Sequence, residues 1–260
     1  MLSTMFMAGE ENISFSNARG EALSGILHHP TGQRPNGAVI LCHGMESDKN
    51  SEKLIYLCRE LAKQGTLALR FDFSYVGESG GKFEDITYSG EVDDLSAAYA
   101  LIQSRRPGKI AIFGSSMGGT VALLFAAREP SVAALVTLAA PLHPENFPKR
   151  LLTAAQRQAW REQGFILYHG RRLNVSLLDD LERLNVAESS QRVTCPVLIL
   201  HGDSDEVVPV EEALELHKGL PNSTRLSIVK GADHRLSDPT AMQRALGESL
   251  DWLTSHLGNR

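Results

Sequence analysis

Basic residues are in short supply. The 260-residue sequence carries 26 Lys and Arg against 31 Asp and Glu, a net charge of −5. A nucleic-acid backbone calls for a dense cationic face, so that class of partner is set aside. Long apolar runs are also missing, and no stretch is long enough to cross a bilayer. Residues 1–18 contain no Lys or Arg and no continuous apolar segment, so no secretory leader is expected there. The three cysteines, Cys42, Cys58 and Cys195, are odd in number and lack C-x-x-C spacing. That excludes a disulfide framework and points to a reducing, cytoplasmic setting.

Other absences narrow the chemistry. There is no G-x-G-x-x-G, no P-loop, no H-E-x-x-H and no Cys/His cluster, so neither a bound nucleotide nor a metal is indicated. The adjacent His28 and His29 would leave a strand on opposite faces. No cofactor is expected. The partner is a small molecule, and the choice between monomer and homodimer stays open.

What is present is an alternation of apolar runs and helix-period segments. A hairpin over residues 12–17 and 22–28, turning at Arg19-Gly20, opens the chain. Residues 37–43 then form a continuous apolar run of the kind needed by a strand buried on both faces. Further strands are predicted at 66–73, 109–114, 132–140, 197–201 and 226–229. Helices are predicted near 51–64, 89–104, 117–128, 210–218 and 240–256. Pro107-Gly108 and Pro221-Asn222 read as turns. This order implies a doubly wound α/β sheet, mostly parallel, of about eight strands with helices on both faces. Residues 1–260 are expected to form one domain. Residues 142–186 break the alternation and read as an inserted lid, the plainer alternative being a long helical connection.

The sharpest motif is Gly114-Ser-Ser-Met-Gly118, at the junction of an apolar run and a helical pattern. In that setting G-x-S-x-G is a nucleophile elbow, a strained strand-to-helix turn that exposes the hydroxyl of Ser116. The same pentapeptide also serves as an ordinary helix cap. A catalytic serine needs a base and an acid to orient that base. His234 and Asp205 both follow apolar runs, at the strand ends where active sites of open α/β sheets gather. The order Ser, Asp, His is that of the α/β-hydrolase arrangement. Asp203 is the rival acid, and Asp205 is preferred because it stands further past the strand end. The oxyanion donors would be the backbone N–H groups of Met117, after the nucleophile, and Met45, in the loop beginning at His43. His43 precedes the serine and is assigned to shaping that loop.

With these residues placed, the chain resembles the α/β-hydrolase superfamily over its whole length. It looks most like small bacterial cinnamoyl (feruloyl) esterases and serine aminopeptidase-like hydrolases. The resemblance rests on His43-Gly44, Phe71-Asp72-Phe73 through Gly77-Glu78-Ser79, Gly81 to Thr87, the elbow, His201-Gly202 with Asp205, and Gly231-Ala-Asp-His234. It implies a triad of Ser116, Asp205 and His234, an oxyanion hole at Met45 and Met117, and hydrolysis of carboxylic esters through an acyl-enzyme. A peptidase, amidase or thioesterase on the same triad is the alternative, followed by a non-catalytic ligand-binding protein. Tyr75-Val76-Gly77 stands where such hydrolases commonly have Gly-His-Gly. The inserted segment aligns poorly, so hydroxycinnamate preference is not carried over. Trp160, Phe165 and Tyr168 in that segment are expected to line a substrate pocket, together with Phe147. Arginines 150, 157, 161, 171 and 172 either attract an anionic substrate or form a solvated helical face.

Overall fold

The computed structural model describes residues 9–31, 35–220 and 223–258; the expected turn at Pro221-Asn222 lies outside them. The strands are β1 (Gly9–Ser16), β2 (Ala22–His29), β3 (Ala38–Cys42), β4 (Leu67–Phe71), β5 (Ile110–Ser115), β6 (Val132–Leu138), β7 (Phe165–Tyr168), β8 (Arg171–Asn174), β9 (Val197–Gly202) and β10 (Thr224–Val229). Eight of them build one sheet in the order β1-β2-β4-β3-β5-β6-β9-β10. The run from β4 through β3, β5, β6 and β9 to β10 is parallel. Only the edge hairpin β1-β2 joins antiparallel.

The continuous apolar runs become the central strands because both of their faces are covered. Strand β3 sends Ala38, Ile40 and Cys42 into one core and Val39 and Leu41 into the other. Helices α1 (Glu52–Lys63), α2 (Tyr88–Ser104) and α3 (Met117–Ala126) divide between the faces. Leu54, Leu57, Cys58 and Leu61 of α1 pack on the Val39 side, whereas α2 and α3 fill the other.

Four short helices lie between β6 and β9: α4 (Phe147–Leu151), α5 (Ala154–Gln163), α6 (Val175–Arg183) and α7 (Val186–Ser190). The antiparallel pair β7-β8 sits between α5 and α6. The sequence offered a long helical connection as the plainer alternative for this stretch, and the hairpin was not foreseen. After β9 come α8 (Val210–Gly219), β10 and α9 (Pro239–Leu257), the last packing beside α1 on the Val39 face. No helix among the described residues is long and apolar enough to cross a membrane.

One ionic cluster shapes the loop that follows β3. Asp72, fully buried just past β4, accepts the Lys49 backbone N–H at 2.7 Å on Oδ1 and Lys49 Nζ at 2.5 Å on Oδ2. Oδ2 also accepts the Glu78 N–H at 2.9 Å. Lys49, itself only 2% exposed, reaches Glu78 at 2.6 Å as well. Gly77 completes the turn at φ 57°, where a Cβ would stand 2.2 Å from Asp72 Oδ2. The unusual Tyr75-Val76-Gly77 therefore closes around the carboxylate. Removing Asp72 leaves the buried Lys49 ammonium with the exposed Glu78 alone and two backbone N–H groups unpaired. Asp72→Ala is accordingly expected to destabilise the fold by about 3–5 kcal/mol, measured by urea unfolding.

Candidate active site

The residues expected to form the site follow the carboxyl ends of the parallel strands. Ser116 follows β5, Asp205 follows β9, His234 follows β10, and residues 43–50 follow β3. Ser116 takes φ 52° and ψ −124° at the start of α3, and its N–H donates to the Leu138 carbonyl at 2.8 Å. Such a left-handed serine is strained and persists only because its surroundings enforce it. The glycines show how. A Cβ on Gly114 would lie 2.3 Å from the Gly118 carbonyl oxygen, and one on Gly118 would lie 2.3 Å from that of His43. Strand, helix and the β3 loop meet with no room for a side chain.

The serine hydroxyl does not cap its helix. Instead Ser116 Oγ lies 3.0 Å from His234 Nε2, and His234 Nδ1 lies 2.8 Å from Asp205 Oδ2. The other carboxylate oxygen accepts the N–H groups of Val207 at 2.9 Å and Val208 at 2.8 Å. Burial of Asp205 works against ionisation, but hydrogen bonding from His201, His234 and the Val208 N–H outweighs it. Its carboxyl is held well below the usual carboxylate range. The rival, Asp203, is exposed and accepts the Gly231 N–H at 2.5 Å, so it ties two loops together without meeting the histidine.

His43 is buried, and its two nitrogens are accounted for. Nε2 accepts the Phe73 N–H at 3.1 Å, which leaves Nδ1 protonated to donate to the Gly44 carbonyl at 2.8 Å. Burial pushes its pKa down, so it is a neutral strut for the loop. That loop brings Gly44 close enough that a Cβ there would lie 3.2 Å from Ser116 Cβ. Met45 and Met117 both line the cavity beside Ser116, and neither N–H is engaged by another backbone group outside regular helices and strands.

The cavity has a volume of about 760 Å³. Ser116 and His234 line it together with Pro144, Phe147, Leu151 and Tyr168. Phe147 and Tyr168 meet edge to face at 5.6 Å. Two of the expected pocket residues are not in it. Trp160 is fully buried and donates Nε1–H to the Leu173 carbonyl at 3.1 Å, so it is core. Phe165 is covered by the Arg172 guanidinium at 4.0 Å and does not line the cavity.

The arginines are spent on internal contacts. Arg171 stacks on Phe83, Arg161 pairs with Asp179 and Glu182, and Arg157 donates to the Leu152 carbonyl. Arg150 alone of the five reaches this cavity, already paired with Glu212.

Several wall residues escaped sequence reasoning. Lys53 lines the cavity and donates to the Arg235 carbonyl at 3.0 Å. Glu46 joins His169 at 2.8 Å and Arg235 at 3.4 Å, bridging the β3 loop, the β7-β8 turn and the loop of His234. Adjacency to Met45 was the available signal for Glu46. No group of His, Cys, Asp or Glu suited to a metal ion occurs among the described residues.

Comparison with known proteins bears on the family and the fold. The profile of the family described as "Serine aminopeptidase, S33" matches residues 33–165, and that of "TAP-like protein" matches residues 180–250. Palmitoyl-protein thioesterase ABHD10, mitochondrial, from Bos taurus is 26% identical over 220 residues, covering 79% of this chain and 69% of that protein. A putative hydrolase from Agrobacterium vitis S4 superposes with a TM-score of 0.80 at 26% identity, over 94% of this chain and 99% of that one. Est1E from Butyrivibrio proteoclasticus, solved with ferulic acid bound, superposes with a TM-score of 0.76 at 23% identity, over 93% and 99%. This last likeness concerns the fold.

The elbow makes a stability test of opposite signs available. Gly118→Ala forces a methyl against backbone and is expected to lose about 1–3 kcal/mol. Gly247→Ala, in α9 with nothing within 4 Å of its Cβ position, should gain about 0.5–1 kcal/mol. Urea midpoints of the two variants against wild type check both signs.

Proposed function

Because this chain belongs to the serine aminopeptidase (S33) family of α/β-hydrolases, we propose that it cleaves carboxylic esters through an acyl-enzyme on Ser116. The observation that carries this reading is the unbroken relay from Ser116 Oγ through His234 to the buried Asp205, at 3.0 and 2.8 Å. A hydroxyl is a weak nucleophile unless a positioned base removes its proton, and this relay supplies that base.

The steps follow from the geometry. Ser116 Oγ attacks the ester carbonyl carbon as its proton passes to His234 Nε2. The carbonyl oxygen takes up the negative charge beside the N–H groups of Met45 and Met117, where α3 begins and its dipole favours an anion. As the tetrahedral adduct collapses, the C–O bond to the alcohol breaks and the leaving oxygen takes the proton from His234. Water then attacks the acyl-serine by the same route, releasing the acid and restoring Ser116. Asp205 keeps its charge throughout, holding His234 with Nδ1 protonated and stabilising the imidazolium. No cofactor takes part in these steps.

The segment 142–186 serves in this reading as a cap over the acyl side, within a single catalytic domain. Tyr168 and Phe147 give an aromatic wall, and the exposed Leu151 and Val207 give the mouth an apolar edge. This favours a medium acyl or aryl group over a charged one. The bovine relative's name makes thioesters the second reading. The three cysteines are free and buried, which suits a reducing compartment such as the cytoplasm.

A panel of p-nitrophenyl esters of increasing acyl length, with matched thioesters, tests the proposal. Ser116→Ala and His234→Ala should each lower turnover by roughly 10⁴-fold or more without unfolding the protein. Asp205→Asn should lower it far more than Asp203→Asn. Absence of Ser116-dependent turnover on every substrate, together with no labelling of Ser116 by a fluorophosphonate, would overturn the reading.

A further inference from the structure

The triad carboxylate has a second imidazole against it. His201, the next-to-last residue of strand β9, is fully buried. Its Nε2 lies 2.8 Å from the Val208 carbonyl oxygen and 3.3 Å from Asp205 Oδ2, the same oxygen that faces His234. Its Nδ1 is buried with no partner. These facts fix the ring's state. A proton on Nδ1 would be an unpaired buried donor, which is costly, whereas a proton on Nε2 has an acceptor at 2.8 Å. His201 therefore directs Nε2–H at Val208 and places that edge of the ring beside the carboxylate.

Val208 links this ring to the acid from the other side. Its N–H donates to Asp205 Oδ1 at 2.8 Å while its carbonyl accepts from His201. The turn 205–208 is thus clamped through both backbone groups of Val208, and the clamp sets the direction of Oδ2 toward His234. We propose that His201 is a positioning residue of the hydrolytic site, acting through Val208 and Asp205 to orient and temper the charge that His234 feels. The inference rests on the relay reading above.

The sign of the effect follows. Without His201, Oδ2 loses a stabilising dipole, so more of its negative charge is available to the His234 imidazolium. Protonated His234 then becomes more stable, and the acid limb of kcat/KM moves to higher pH. Looser aim at Nδ1 lowers kcat, while substrate contacts are untouched and KM stays near wild type.

Three variants and two readouts test this. In His201→Leu, kcat should fall about tenfold with KM unchanged, and the acid limb should rise by about half a pH unit. His201→Gln, whose amide N–H reaches where Nε2 stood, should restore both. If His201→Leu does not fold, His201→Asn replaces it, since its amide stops short of the Val208 carbonyl. The second readout needs no turnover: the His234 imidazole is titrated by NMR in wild type and in the variants, and its midpoint should rise in His201→Leu. An unmoved midpoint and limb, with Leu and Gln variants differing only in unfolding temperature, would reduce His201 to core packing and overturn the inference. If wild type shows no Ser116-dependent turnover, the hydrolase reading fails by itself, and the NMR shift still reports on the clamp.

Discussion

The contact on which the rest depends is the backbone approach between the N-terminus of α3 and the end of β3. Gly118 leaves no space for a Cβ against the carbonyls of Cys42 and His43, so the helix start and the β3 loop share one surface. That closeness puts Ser116 beside Gly44 and Met45. It also explains why the serine's strained φ is tolerated: relaxing it would pull α3 away from two strands at once. The β3 loop is fixed from its far side by Asp72 and Lys49 and from below by His43. The Ser116 hydroxyl and the β3 loop are thereby brought together, by backbone packing on one side and by the Asp72–Lys49 pair on the other.

Charge is then handled by saturation. Asp205 is buried, and an isolated carboxylate there would take up a proton. Two backbone N–H groups on one oxygen and the imidazoles of His201 and His234 on the other keep it ionised. The buried histidines divide the work by tautomer. His43 accepts on Nε2 and so donates from Nδ1, whereas His201 donates from Nε2. Neither ring hydrogen-bonds the serine: His43 Nε2 is taken by the Phe73 N–H, and His201 is buried away from the cavity. His234, on a loop with one nitrogen facing Asp205 and the other facing the cavity, is the histidine whose second nitrogen reaches Ser116.

Much of this was legible in the sequence because strand ends announce themselves. Continuous apolar runs at 37–43, 109–114 and 197–201 became β3, β5 and β9, and Met45, Ser116 and Asp205 follow them. Asp205 was separable from Asp203 by its distance past the strand, and the structure gives that distance a cause: only Asp205 reaches the Val207 and Val208 N–H groups. His201 was not legible as more than part of a motif, since its role depends on a peptide seven residues on. Residues 142–186 were opaque for another reason. Their elements are short, and Phe165, Ile166, Leu167 and Tyr168 form a strand whose residues are all partly exposed or exposed, so period alone does not sort them.

The misplaced aromatics show what decides a pocket. A large ring in an inserted segment can face the ligand or support the segment, and hydrogen-bonding capacity tips the balance. Trp160 has a single donor, and the Leu173 carbonyl on β8 satisfies it. Once made, that bond draws the indole under the hairpin, among Leu173, Leu177 and Leu181. Phe165 has no donor, yet Arg172 covers its face from the paired strand. Tyr168 lies at the end of β7, three residues from Phe165, and has no such cover. It stacks on His169 and meets Phe147 instead. The cavity wall is therefore made of the aromatics left over after the segment has satisfied its own backbone and cations. Composition counts the rings, but only the pairing of β7 with β8 says which are left.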